Sequence, residues 1–229
     1  ILIAGTTGSG KSVLLRTMAT SFSLTQSPRA LRYLCLDPKG RTFKALEGAP
    51  HLARPIITEP AEAREALESL LRTMELRDRR GEFPTDDPRS PKAVPRIVVF
   101  IDELADLIMT EGEMITDAIT RLAQRGREAG IHLVAATQHP SAAILSSLMR
   151  ANFPLRLIGR VASASDARVA AGRGSTDAHR LHGRGDFLAI TGEHPIRFQV
   201  ADIKEHEVRR QIGDLETPKA LPAPERNET

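Results

Sequence analysis

The chain has 229 residues, 41% hydrophobic and 27% charged, which is the composition of an ordinary globular protein. That excludes a collagen-like or low-complexity chain, and no run approaches the ~18 apolar residues of a membrane helix. A net charge of +3 is too mild to mark a nucleic-acid protein by itself, and one cysteine, Cys35, excludes an internal disulfide or a multi-cysteine metal site.

Ile1 lies inside an apolar run, so the chain is expected to be a segment of a longer protein. Ile1–Ala4 reads as a short strand that stops at a glycine-rich loop, Gly5–Gly10. Lys11–Ser23 follows with helical spacing of Val13, Leu14, Met18 and Phe22. Leu31–Leu36 is a buried-strand pattern ending in Asp37-Pro38-Lys39-Gly40. Pro60–Arg80 is an amphipathic helix, with Ala63, Ala66, Leu67, Leu70, Leu71 and Met74 on one face. Gly81–Pro95, with prolines at 84, 88, 91 and 95, reads as a loop. Ile97–Ile101 is the uninterrupted apolar run of a central parallel strand.

Met114–Ala129 is expected to be helical, Ile131–Thr137 a strand, Ser141–Ala151 a helix and Leu155–Val161 a strand. Phe187–Ile190 and Ile196–Val200 flank Gly192 as a β-hairpin, and Ile203–Leu215 is a last helix. Residues 216–229 lack an apolar period and read as a disordered tail after one domain spanning 1–215. Strands alternating with helices predict an α/β fold, a mostly parallel sheet with helices on both faces. Ligands of such sheets bind at the carboxyl ends of the strands.

The chemistry gathers at those ends. Gly5-Thr6-Thr7-Gly8-Ser9-Gly10-Lys11-Ser12 matches G-x-x-x-x-G-K-[ST], with a strand before it and a helix after. Glycines let backbone N–H groups turn inward around an anion, and the helix start through Val13 adds its positive end. On this pattern Gly5 to Val13 cradles ATP, Lys11 reaches the β- and γ-phosphates, and the Ser12 hydroxyl ligates Mg²⁺. Ile97–Ile101 then delivers Asp102-Glu103. Asp102 would hold Mg²⁺ and Glu103 would polarise the attacking water as general base; the plainer reading makes Asp102 a helix cap. A glutamate directly after the aspartate points to hydrolysis.

Gln138 ends a strand beside the acidic one, as a γ-phosphate sensor or as a loop amide serving its own backbone. Arg121, Arg125 and Arg127 form a solvated basic face, or one of them acts on a neighbouring subunit's phosphate. Cys35 reads as a core strand residue.

These residues resemble the motor domain of the FtsK/SpoIIIE family of double-stranded DNA translocases. Ala4 to Ser12, Asp37-Pro38-Lys39, Glu47 to Leu52 and Asp102-Glu103-Leu104-Ala105-Asp106-Leu107 carry the likeness. So do Arg121 to Gln124, Arg127 to Leu133, Ala136-Thr137-Gln138, Arg150-Ala151-Asn152, Ser163 to Arg168 and Gly183-Arg184-Gly185-Asp186. They run in the family's order over about residues 1–210. The resemblance implies a three-layer, RecA-like P-loop fold, a homohexameric ring with double-stranded DNA through its pore, and ATP sites between subunits. It makes Arg127 the arginine finger acting in trans and Gln138 the γ-phosphate sensor. Pore-facing loops map to His139–Asn152 and Ser163–Arg168, with His139, Arg150 and Arg168 as DNA contacts. It implies a cytoplasmic domain whose parent is held at the inner face of the membrane in anchored members of the family.

The sequence departs from the family at His139, where Arg is usual, and at Ala164, where Lys is common. Its 81–95 loop is shorter than the family's. The family's preceding subdomain and its small C-terminal DNA-reading module fall outside this chain. Two related motors are the alternatives, a type VII secretion-like ATPase moving protein and a conjugative coupling ATPase moving single strands. The low aromatic content, seven Phe, one Tyr and no Trp, disfavours the single-strand reading.

Overall fold

The computed structural model describes residues 1–85, 93–141, 144–145, 147–174, 176–192 and 194–215. The expected tail, 216–229, and the centre of the 81–95 loop lie outside the described residues. Seven strands form one sheet: β1 (Leu2–Ala4), β2 (Leu31–Leu36), β3 (Arg96–Ile101), β4 (Ile131–Thr137), β5 (Arg156–Ile158), β6 (Asp186–Ile190) and β7 (Ile196–Gln199). Their order is β2-β3-β4-β1-β5-β6-β7. The first five run parallel, and β6 and β7 add the expected antiparallel hairpin.

The strands are apolar on both faces because both faces are covered. Alternate residues divide between two cores. Leu34, Leu36, Val99, Ile101, Leu133 and Ala135 pack under α2 (Pro60–Arg80) and α3 (Leu104–Arg125). Tyr33, Cys35, Val98, Phe100, Val134 and Ala136 pack under α1 (Lys11–Thr25) and α6 (Glu205–Gly213). A smaller core joins β5 and β6 to α5 (Ala164–Ala171). Phe100 sits within 5.7–6.2 Å of the rings of Phe22, Tyr33 and Phe43. That cluster fixes the loop after β2 against the acidic strand β3. Among the described residues no helix is long and apolar enough to cross a membrane.

Four expected elements change. The helix placed at Met114–Ala129 begins ten residues earlier, at Leu104, and ends at Arg125. Gly112, with φ 63° and ψ −136°, breaks its geometry, which is why the apolar period reads as starting only afterwards. The helix at Ser141–Ala151 shortens to α4 (Ser147–Ala151), and the strand at Leu155–Val161 to β5. Ser163–Arg168, mapped as a loop, is instead the start of α5: the Ser163 hydroxyl caps it by accepting the Asp166 N–H at 3.1 Å.

Candidate functional site

β1 and β4 are neighbours, and β4 separates β1 from β3. This order brings the glycine-rich loop, Gln138 and the acidic pair to one end of the sheet. The loop turns through left-handed glycines at Gly8 (φ 76°) and Gly10 (φ 105°). A Cβ on Gly10 would stand 2.6 Å from the Gly185 nitrogen, so no larger residue fits there. The N–H groups of Gly8, Gly10, Lys11, Ser12 and Val13 meet no acceptor among the described residues. Such a row of free amides at a helix start is a cradle for an anion.

Lys11 is 6% exposed, and its ammonium donates to the Gly5 carbonyl at 2.6 Å and the Thr6 carbonyl at 3.1 Å. Burial pushes its pKa down to about 8, against the opposing pull of Glu103 and Asp102. The Ser12 hydroxyl donates to Asp102 Oδ1 at 3.4 Å. Burial, and then the nearby Asp37 carboxylate, hold Asp102 above the usual carboxylate range; a hydrogen bond from the Thr42 side chain opposes this.

Thr42 was not evident from sequence. Its own N–H donates to Asp37 Oδ2 at 2.8 Å, so Asp37 folds the loop after β2 and aims Thr42 at Asp102. The turn signal Asp37-Pro38-Lys39-Gly40 marks the loop, but nothing in it marks Thr42.

Glu103 is 1% exposed. Its carboxylate accepts the Gln138 N–H with both oxygens, at 3.1 and 3.2 Å, and the Ala105 N–H at 3.3 Å. The residue that caps α3 is therefore Glu103, not Asp102. Gln138 completes the cluster, because its side-chain oxygen accepts the Thr7 hydroxyl at 2.7 Å. One residue thus touches both the candidate base and the phosphate loop.

Asp102 lies close enough to Asp37, Glu103 and Lys11 to feel all three charges, a concentration of carboxylates that a divalent cation would balance; the second lysine nearby, Lys39, is paired with Asp106 at 3.5 Å. Among the described residues no ready-made cage of three His, Cys, Asp or Glu exists. Mg²⁺ would take Ser12 and Asp102 together with phosphate oxygens and water, its usual habit.

The three arginines separate. Arg121 pairs with Glu75 at 3.3 Å and Arg125 with Asp78 at 3.3 Å, both on α2. Arg127 lies beyond the helix in the turn before β4, exposed and without an ion pair among the described residues. β4 has seven residues. At about 3.3 Å per residue, Arg127 stands roughly 20 Å from Gln138, at the opposite end of the sheet.

Of the candidate DNA contacts, His139 is exposed beside Gln138, and Arg168 is exposed in the last turn of α5. Arg150 is half-buried, and its guanidinium donates to the Leu145 carbonyl. Arg156 ties these segments together by donating to the carbonyls of Arg150, at 2.6 Å, and of Ala171. Residues 142, 143 and 146 of the first mapped loop lie outside the described residues.

The fold has solved counterparts. The cytoplasmic domain of the Thermomonospora curvata type VII secretion ATPase EccC superposes with a TM-score of 0.78 at 26% identity, over 97% of this chain and 29% of that one. The pCW3 conjugation coupling protein TcpA, solved with ATPγS, gives 0.75 at 25% identity, over 93% and 64%. Among curated relatives, the DNA translocase FtsK of Leptospira interrogans is 38% identical over 93% of this chain and 24% of its own length. The DNA translocase SpoIIIE of Bacillus subtilis is 35% identical over 95% and 30%. The chain thus spans a quarter to a third of the curated relatives it matches. The sequence model of the FtsK/SpoIIIE family matches residues 1–82 and 83–142. With this match and these identities, the chain belongs to the FtsK/SpoIIIE family.

Proposed function

We propose that this chain is the ATP-hydrolysing motor domain of a double-stranded DNA translocase, working on the cytoplasmic side as a homohexameric ring with the duplex through its pore. One arrangement carries the reading. Lys11, Ser12, Asp102, Glu103 and Gln138 gather at one end of the sheet, while Arg127, unpaired among the described residues, waits at the other. A site built this way is completed by a second subunit.

When bound, MgATP supplies the phosphoanhydride that is cleaved. Lys11 and the loop amides hold the phosphates. Ser12 and Asp102 anchor the cation, with Thr42 keeping the carboxylate in place. Glu103, its orientation fixed by the amides of Gln138 and Ala105, polarises the attacking water. Gln138 links that carboxylate to Thr7 and so reports on the γ-phosphate. Arg127 of a neighbour neutralises charge that develops in the transition state, a contribution of about 10³–10⁵ in rate where such arginines have been removed. His139, Arg150 and Arg168 grip the duplex through its phosphates, without regard to sequence.

Steady-state ATP hydrolysis with Mg²⁺, measured without polymer, with duplex DNA and with single strands, tests the reading. Duplex alone is expected to stimulate turnover, and Lys11→Ala and Glu103→Gln to abolish it. Stimulation by single strands alone would identify a conjugation-type motor. A hexamer that neither polymer stimulates would point to a protein substrate.

A further inference from the structure

The turn at Gly183–Asp186 has no role in the mechanism above, yet it is docked on the phosphate loop. Arg184 N–H donates to the Gly8 carbonyl at 2.9 Å and Gly185 N–H to the Ser9 carbonyl at 2.8 Å. Arg184 has φ 52°, a left-handed backbone that side chains other than glycine rarely adopt. Such a residue persists only where its surroundings over-determine it, and strained residues of this kind cluster at functional sites. Here the surroundings do so. The Gln199 amide donates to the Arg184 carbonyl at 2.9 Å, Val200 N–H to the Gly185 carbonyl at 2.8 Å, and Asp186 N–H to the Gly183 carbonyl at 3.1 Å. β6 and β7 therefore hold Arg184 at the rim of the loop.

A second arginine adjoins it. The Arg160 carbonyl accepts the Thr6 N–H at 2.8 Å and the Thr6 hydroxyl at 3.0 Å. Its guanidinium lies 3.7 Å from where a Cβ on Gly183 would stand, and Gly183 itself lies against the Gly8 carbonyl. Arg160 and Arg184 are both exposed, and neither pairs with a carboxylate among the described residues. The acid of the turn, Asp186, is already held by Arg197 through two bonds of 2.8 Å. Two guanidinium side chains rooted at one rim without a counter-charge match the needs of a phosphate, whose oxygens the guanidinium fork fits bidentately.

We propose that Arg160 and Arg184 are contacts to the nucleotide from its own subunit, meeting its phosphates at the Gly8 rim beside Lys11. This rests on the nucleotide reading of the phosphate loop. A DNA contact is the competing role, and the position argues against it, since both backbones are bonded directly to the loop that would enclose the phosphates.

Equilibrium binding of a fluorescent ATP analogue with Mg²⁺ tests this, alongside binding of labelled duplex and thermal melting. Arg184→Gly removes the side chain while relieving the backbone, so Tm is expected to rise while nucleotide affinity falls about tenfold or more. Arg184→Lys should be intermediate, and Arg160→Ala should weaken binding like Arg184→Gly. Wild-type nucleotide affinity in Arg184→Gly and Arg160→Ala, with binding lost only in Lys11→Ala, would overturn this proposal and leave the motor reading intact. So would a loss confined to duplex affinity. A wild-type protein that binds no nucleotide would remove both.

Discussion

Lys11 shows how much one residue gives up to be in place. Its ammonium is buried against two carbonyls, and its pKa falls from 10.5 to about 8. Between those values the unfolded chain carries a proton that the folded chain has lost, so this lysine's contribution to stability improves as pH rises through the window. Wild type in metal-free buffer is therefore expected to gain stability relative to Lys11→Met between pH 7.5 and 10, read as the difference in urea midpoints. A flat difference would mean that Lys11 is not desolvated. Bound phosphate reverses the sign by favouring the charged form, so nucleotide binding near pH 8.5 should take up a proton, seen by calorimetry in two buffers of different ionisation enthalpy. That Lys11, Ser12, Asp102 and Glu103 gather at one end of the sheet was legible, because their positions follow from spacing along the chain and from flanking elements. Thr42 and the capping role of Glu103 were not, since each depends on which loop closes over which strand.

The same division holds for whole elements. The strands were legible from apolar runs bounded by turn residues, because a strand buried on both faces has little else to be made of. α3 was misread at its start because Gly112 interrupts it between two buried stripes, Leu104, Ala105 and Leu107 before, and Ile115, Ala118, Ile119 and Leu122 after. α5 escaped because its buried residues, Ala167, Ala170 and Ala171, carry too little apolar bulk to show a period. The Gly112 break is a testable feature of α3. A Cβ there meets nothing within 4 Å, so the penalty for Gly112→Ala is conformational alone. A side chain at φ 63° and ψ −136° costs about 1–3 kcal/mol. At about 2–4 °C per kcal/mol for a domain of this size, a Tm lower by about 2–12 °C is expected in thermal melts. An unchanged Tm would show that α3 can run straight through the position without loss.

At the scale of the molecule, the separation of Arg127 from the acidic pair has a consequence that no single subunit can display. Arg121 and Arg125 are committed to α2, and Arg127, by contrast, projects from the far end of β4. If it acts on a neighbour, each working site takes its phosphate loop from one chain and its arginine from the next, the head-to-tail interface of a closed ring. Lys11→Ala and Arg127→Ala should then each inactivate a uniform ring. Mixed in equal amounts under conditions of subunit exchange, the two should recover activity. A site whose loop comes from an Arg127→Ala chain and whose arginine comes from a Lys11→Ala chain is complete, and random assembly into such interfaces makes about a quarter of sites so. Recovery of duplex-stimulated hydrolysis on mixing, absent from either variant alone, is the expected result. No recovery, with exchange verified by fluorescence transfer between labelled subunits, would place Arg127 outside a shared site or require adjacent sites to fire in turn. The mixture also separates two kinds of coupling. Sites firing independently would give turnover in proportion to the complete interfaces, whereas a ring that needs adjacent sites to fire in turn would give none, because the Lys11→Ala chain that completes one site carries the broken loop of the next.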